Sequence, residues 1–325
     1  MVGDNQYEVI NRDCIEGMAD MPPACIEFSV YSPPFNALYA YNSSVADIGN
    51  SEGLDREGDG ILHLAFFYRQ IVRVMKPGRV MLVHVAQIPR MKRNSPQGGT
   101  IDFRGINIRI AERAGFIYDY DWVIRKAPQA QAIRTKSRGL QFAGMESDRS
   151  KCHGARCDYL IKFLAPGENA VPICDQIKTS DEDREDFAIE QAYDVQVTRN
   201  NWIDWAEGTW SDIRETDTLN GEKGKREVRK EDDTKHIAPL QLGLIHRAIR
   251  LFSNPGELVL DPFSGIGSTG YEAIKLGRRY FGFELRKDYY EASLRHLDRV
   301  SKMTVQEKSM SLFQDEPEPS HAVLD

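Results

Sequence analysis

Two short runs rich in β-branched and aromatic residues, "YEVIN" (7–11) and "IEFSVY" (26–31), flank the helical-looking stretch "CIEGMADM". They predict a β-helix-β unit at the start of the chain. Residues 61–78, "ILHLAFFYRQIVRVMKPG", carry apolar positions at helical spacing and stop at Pro-Gly, and "RVMLVHV" (79–85) follows as an apolar strand. The alternation goes on with a helix over 106–116 ended by Gly115, a strand over 118–124, and a strand over 157–165 before Pro166. Strands alternating with helices predict an α/β, Rossmann-like architecture with a doubly wound, mostly parallel sheet. From Pro166 to about Thr234 the periodicity fades into mixed polar sequence, and "NGEKGKREVRKEDD" (220–233) reads as a mobile linker. Order then returns: a helix over 238–253, a strand in "GELVLDPF" (256–263), a helix in "STGYEAIKLG" (268–277), a strand in "RYFGFEL" (279–285) and a closing amphipathic helix. No internal repeat is visible, and the last twenty or so residues read as disordered.

A chain of 325 residues can bury a large core. It has no basic region followed by an apolar stretch at its N-terminus and no run of about eighteen apolar residues, which leads us to expect a cytoplasmic protein. Five cysteines, an odd number, point to reduced thiols rather than a disulfide framework. "CHGARC" (152–157) has one zinc-like spacing, but only His153 and the distant Cys174 could complete it, so no metal is expected. The net charge of −7 hides an asymmetry: residues 86–162 hold 15 Lys and Arg against 7 Asp and Glu, a local charge of +8. A basic stretch flanked by acidic ones can present a positive face to phosphates, although solvated loops would have the same composition.

Two short segments carry chemistry. In "LVLDPFSGIGSTG" (258–270) a strand ends in an acidic residue, and Gly265 and Gly267 make a turn that opens a helix. Glycines there let a backbone approach a ligand closely, although many strand-to-helix turns use them for geometry alone. The next strand ends at Glu284, 23 residues after Asp261, where a carboxylate can accept from both ribose hydroxyls of a nucleoside. No lysine in the turn could hold a nucleoside triphosphate. The second segment is "YSPPFN" (31–36), a strand end stiffened by two prolines and followed by an aromatic ring. His84, at the end of a strand, reads as a structural or pocket-lining residue.

Together "DPFSGIGSTG", "GFEL" and "YSPPF" resemble the motifs of DNA amino-methyltransferases that use S-adenosylmethionine. Their order, catalytic corner first and cofactor turn last, is similar to the β-class, in which the fold is circularly permuted. The resemblance implies a seven-stranded sheet, with strand 26–31 beside strand 258–260. It implies a catalytic part over 1–165, a target-recognition insertion with linker over 166–234, a cofactor-binding part over 235–303 and a tail over 304–325. It assigns catalysis to Ser32, Pro33, Pro34 and Phe35. Ser32 Oγ and the Pro33 carbonyl would accept from the target amine, and Phe35 would stack on a base flipped from the duplex. Cofactor contacts fall to Asp13, Tyr31, Lys235, His236, Asp261, Pro262, Phe263, Ser264, Gly265, Gly267, Ser268, Thr269 and Glu284. In this chain Ile237 and Ala238 interrupt the family's His-Pro before Pro239.

Serine at the first position of the corner resembles the cytosine-N4 enzymes, where the adenine-N6 enzymes more often have Asp or Asn. Double-stranded DNA is the implied partner, contacted by the basic stretch 125–142 and by the region of Trp202, Trp205 and Trp210, aromatics that could equally pack as a small core. A restriction-modification setting and a homodimer are compatible with the family. "SMSLF" (309–313) is loosely similar to peptides that dock on replication sliding clamps. An RNA methyltransferase would share the pocket logic. A binding regulator with a decayed site fits less well, because both motifs and Glu284 are intact.

Overall fold

The computed structural model describes residues 6–34, 59–89, 99–128, 142–174, 197, 199–219 and 239–303. Phe35, Lys235, His236, the segment 220–233, most of the basic stretch 125–142 and the "SMSLF" tail lie outside the described residues.

The chain begins with β1 (Tyr7–Ile10), α1 (Cys14–Ala19), β2 (Phe28–Tyr31), α2 (Asp59–Val74) and β3 (Val80–Ala86). A small antiparallel pair, β4 (Ile88–Pro89) and β5 (Thr100–Ile101), leads into α3 (Phe103–Ala114) and β6 (Ile117–Ile124). Next come α4 (Phe142–Ser147), β7 (Asp158–Leu164), α5 (Arg199–Trp205) and β8 (Thr209–Trp210). The last part holds α6 (Leu242–Phe252), β9 (Leu258–Asp261), α7 (Ser268–Lys275), β10 (Arg279–Phe283) and α8 (Lys287–Ser301). Local chemistry sets several of these ends. Asp13 caps α1 by accepting from the amides of Ile15 and Glu16, Asp102 caps α3 through Gly105, and α3 stops at Gly115 with φ +112°.

The main sheet runs β1-β10-β9-β2-β3-β7-β6-β8. All its pairings are parallel except those of β7 with β3 and β6. Every residue of β2 and of β9 is buried, as expected where helices cover both faces. On one face α1, α2 and α3 pack Met18, Phe67, Tyr68 and Ile110 against Met81, Val83 and Val85 of β3. On the other, α6, α7 and α8 pack Ile245, Ile274 and Leu297 against Val80 and Leu82 of β3 and Val259 of β9. Side-chain alternation puts His84 of β3 on that second face.

Two expectations are met and one is exceeded. β2 pairs with β9, Phe28 opposite Val259 and Ser29 opposite Leu260. β1, from the start of the chain, pairs in parallel with β10, Tyr7 opposite Tyr280, so the two ends of the fold are neighbours as a permuted order requires. The sheet has eight strands rather than seven. The eighth, Thr209–Trp210, joins the edge beside β6, and a two-residue strand has too little periodicity to be seen in sequence. Trp205 and Trp210 are buried in the core of the second face, with Trp210 against Trp122 at 5.4 Å between ring centroids, whereas Trp202 is exposed. No helix among the described residues is long and apolar enough to cross a membrane.

Candidate active site

Strand order reverses between β9 and β2. From β9 the chain proceeds outward to β10, and from β2 it proceeds outward to β3 on the other side. Both strands point the same way, so their carboxyl ends flank one crevice, the usual ligand position in open α/β sheets. The buried hydroxyl of Ser29 donates to the carbonyl of Leu260 at 2.8 Å and fixes the two strands in register.

On the β9 side the turn is held by its own short-range bonds. The amide of Phe263 donates to Asp261 Oδ1 at 2.9 Å, and that of Gly267 to the Ser264 carbonyl at 2.8 Å. Gly265 and Gly267 have φ of +53° and +88°, which L side chains adopt rarely. Gly267 caps α7, and a Cβ there would stand 3.1 Å from Ser293 Cβ. Ser264 accepts from the Tyr280 hydroxyl at 2.8 Å. Pro262, Ser268 and Thr269 are buried, and Thr269 Oγ1 reaches the Val30 carbonyl of β2 at 3.5 Å.

Glu284, directly after β10, closes over this turn. Its Oε2 accepts the Gly265 amide at 2.7 Å and its Oε1 the Arg286 amide at 2.8 Å, while Asn11 Nδ2 donates to the Glu284 carbonyl at 2.7 Å. Burial pushes the Asp261 carboxyl up to about 6, against the Thr269 hydroxyl and the Phe263 amide. Burial also pushes Glu284 up to about 7; the Arg286 and Gly265 amides oppose this and the Asp261 charge adds to it. Two carboxyls raised in one crevice suit a ligand that brings hydroxyl donors and positive charge, and the positive-φ glycines let its body come close to the backbone. These residues therefore fit a cationic nucleoside.

On the β2 side stands the proline corner. Ser32 is half-buried and Pro33 buried. The Ser32 hydroxyl donates to the His84 carbonyl at 3.1 Å and lies 3.3 Å from His84 Nδ1. His84 Nε2 is 3.0 Å from Asp158 Oδ2, and Lys126 Nζ is 2.9 Å from the same oxygen. The two residues after Ser32 lack amide hydrogens, so the corner offers acceptors and no donor pair. That is the reverse of what an acyl-transfer oxyanion needs, and it suits an N–H donor substrate.

The sequence assignments separate into three groups. Asp261, Pro262, Phe263, Ser264, Gly265, Gly267, Ser268, Thr269 and Glu284 form one turn, adjacent through β9 and β2 to Ser32, Pro33 and Pro34. Asp13 uses its Oδ1 to cap α1. Tyr31 is fully buried, its hydroxyl on Met81 Sδ and its ring 5.6 Å from Phe263, so its side chain supports the turn and offers no surface to a ligand. Asp158 and Lys126 were not singled out in sequence, because each lies far along the chain from Ser32. Among the described residues no three His, Cys, Asp or Glu side chains gather as for a metal.

Residues 26–295 match a family model described as DNA methylase. Over 64 residues, 20% of this chain and 22% of the relative, the sequence is 44% identical to the DNA adenine methyltransferase YhdJ of Escherichia coli (strain K12). Over 91 residues, 26% of this chain and 33% of the relative, it is 32% identical to the type II methyltransferase M2.MboI of Moraxella bovis. The matched stretches thus span a third or less of these relatives' length. TTHA0409 of Thermus thermophilus, in its complex with S-adenosyl-L-methionine, superposes with a TM-score of 0.62 at 19% identity, over 92% of this chain and 96% of that one. The cytosine-N4-specific PvuII DNA methyltransferase gives a TM-score of 0.56 at 14% identity, over 95% and 93%. At such identities the likeness is one of fold.

Proposed function

This chain belongs to the DNA methylase family, and from that premise we propose that it transfers a methyl group from S-adenosylmethionine to the exocyclic amine of a base in double-stranded DNA, cytosine N4 in the first instance. The observation that carries this reading is the pairing of β2 with β9, which sets the proline corner beside the glycine turn and Glu284. Glu284 would hold the ribose hydroxyls, the turn from Asp261 to Thr269 would take the body of the cofactor, and Asp13, Lys235 and His236 are assigned to its adenine and methionine ends by family resemblance. When bound, the cofactor supplies an electrophilic methyl group on a positively charged sulfur.

The amine of cytosine or adenine is a weak nucleophile because its lone pair is conjugated with the ring. Two fixed acceptors, Ser32 Oγ and the Pro33 carbonyl, would draw its two protons into one geometry and favour a pyramidal nitrogen with its lone pair free. Their value lies in preorganisation: proline prefixes φ, and the corner has little left to rearrange during reaction. Phe35 would stack on the extruded base. Cytosine is favoured because Ser32 stands where the adenine enzymes more often carry Asp or Asn. The 44% identity to an adenine methyltransferase supports adenine N6 as the second assignment.

Incubation with methyl-labelled S-adenosylmethionine and unmethylated duplex DNA, followed by hydrolysis to nucleosides, tests the proposal. N4-methylcytosine is expected. N6-methyladenine would replace the base assignment and keep the mechanism, whereas label confined to structured RNA would overturn the choice of DNA.

A further inference from the structure

His84 reads in sequence as a structural or pocket-lining residue, and the fold puts it between Ser32 and a buried ion pair. β3 and β7 are antiparallel with His84 opposite Leu160 and Ala86 opposite Asp158, so Asp158 lies diagonally across from His84. β6 pairs Ile124 with Asp158, and Lys126 follows two residues later. Three strand ends and the corner after β2 therefore converge at one edge of the sheet. His84 and Asp158 are 6% and 8% exposed, and the Lys126 side chain 10%, so each needs its polar partners. Ser32 and Asp158 meet His84 directly, and Lys126 reaches it through Asp158.

Asp158 Oδ2 serves two donors at once, Lys126 Nζ at 2.9 Å and His84 Nε2 at 3.0 Å. Burial works to raise this carboxyl, but the hydrogen bonds and charges of His84 and Lys126 outweigh it and hold it below its ordinary value. Lys126 compensates the carboxylate, and a hydrogen on His84 Nε2 would point at Asp158. Nδ1 would then present a lone pair 3.3 Å from Ser32 Oγ, beside the His84 carbonyl to which the Ser32 hydroxyl donates at 3.1 Å.

We infer that His84 is a positioning residue for Ser32 whose Nδ1 takes the Ser32 proton, in place of the His84 carbonyl, when the serine oxygen accepts from the target amine. The inference rests on the methyl-transfer reading and deepens it. As the amine nitrogen gives its electron pair to the methyl carbon, the carbon–sulfur pair remains on sulfur as a neutral thioether and the nitrogen becomes positive. One amine proton then passes to Ser32 Oγ while the Ser32 proton passes to His84 Nδ1. The resulting imidazolium is stabilised by Asp158 and returns its proton to water. If His84 already carries a proton on Nδ1, that nitrogen cannot take the Ser32 proton and the route is closed. Methyl transfer should therefore be slower in acid than at neutral pH.

Two measurements test this. Long-range proton–nitrogen NMR on the protein alone, with His84 assigned by the loss of its signals in His84→Asn, should show the Nε2–H tautomer at neutral pH; an Nδ1–H tautomer or a permanent imidazolium would overturn the inference. Single-turnover methylation at saturating cofactor and DNA should lose rate on the acid side for the wild type. His84→Asn keeps an acceptor near Nδ1 but cannot take a proton. Its rate should fall about a hundredfold and lose the acid limb, with unchanged binding of S-adenosylhomocysteine. A wild-type rate and limb in this variant would sink the role. Should His84→Asn not fold, Asp158→Asn serves instead and should move the acid limb to lower pH; an unmoved limb counts against the role. A wild-type protein that methylates no DNA refutes the methyl-transfer reading, while the NMR result still decides the tautomer.

Discussion

The two walls of the crevice are built by opposite means. The glycine turn is held by bonds between residues two to nineteen apart in sequence: Phe263 to Asp261, Gly267 to Ser264, Gly265 to Glu284. The proline corner is held by bonds to residues 52 positions or more away, Ser32 to His84 and His84 to Asp158. A ligand site whose shape comes from backbone conformation can be written in one short stretch. A site whose reactive oxygen must point in one direction needs support from several strands, because a single hydroxyl has a free rotor that only partners can fix.

Substitutions on the two walls should separate binding from chemistry. Ser32→Ala removes an acceptor used in the reaction, and single-turnover methylation should fall about a thousandfold with unchanged cofactor affinity by calorimetry. If affinity falls as well, the two walls are not independent. Glu284→Ala should act the other way and weaken cofactor binding by about a hundredfold, as expected for losing hydrogen bonds to a charged group, while much of the rate returns at saturation. Gly267→Ala is a smaller perturbation. Its φ of +88° and the 3.1 Å approach to Ser293 should cost about 1–2 kcal/mol, read as a Tm lower by several degrees, with the corner's chemistry preserved once cofactor is bound.

The smallest effect is a pH dependence of opposite sign with and without cofactor. Asp261 and Glu284 are raised in the folded protein, to about 6 and about 7, so they stabilise the unliganded protein at low pH and lose that contribution as pH rises through these values. A cationic cofactor favours the ionised carboxyls, so its affinity should fall as pH drops from 8 to 5. Thermal melts across this range should show the stabilisation by cofactor growing with pH. A constant difference would mean that the two carboxyls do not meet the ligand's charge.

The parts of the molecule legible in sequence are those fixed by local physics. β2, β3 and β9 are apolar runs because both their faces are covered, α1 and α3 carry their capping Asp13 and Asp102, and α3 announces its end at Gly115. The adjacency of β2 and β9 came from the order of two motifs. β8 was missed because two residues have no period, and Trp210 gave no sign that it would extend the sheet. The His84 network was missed for another reason. His84, Asp158 and Lys126 lie on three different strands or strand ends, and only the antiparallel register of β7 between β3 and β6 brings them together. Nothing within ten residues of any of them distinguishes it from an ordinary polar residue at a strand end.

The pairing of Tyr7 with Tyr280 also bears on how the chain is made. β10 and β9 sit between β1 and β2, so on the ribosome β1 has no neighbour in the sheet until the strand Arg279–Phe283 has been synthesised. The cofactor wall is then completed last, after the corner of Ser32 has long since emerged. A nascent chain released early would hold β1 apart from β2, with the apolar edge of β2 uncovered and open to misassociation. Late closure ties the appearance of a working crevice to the arrival of the strands that carry Asp261 and Glu284.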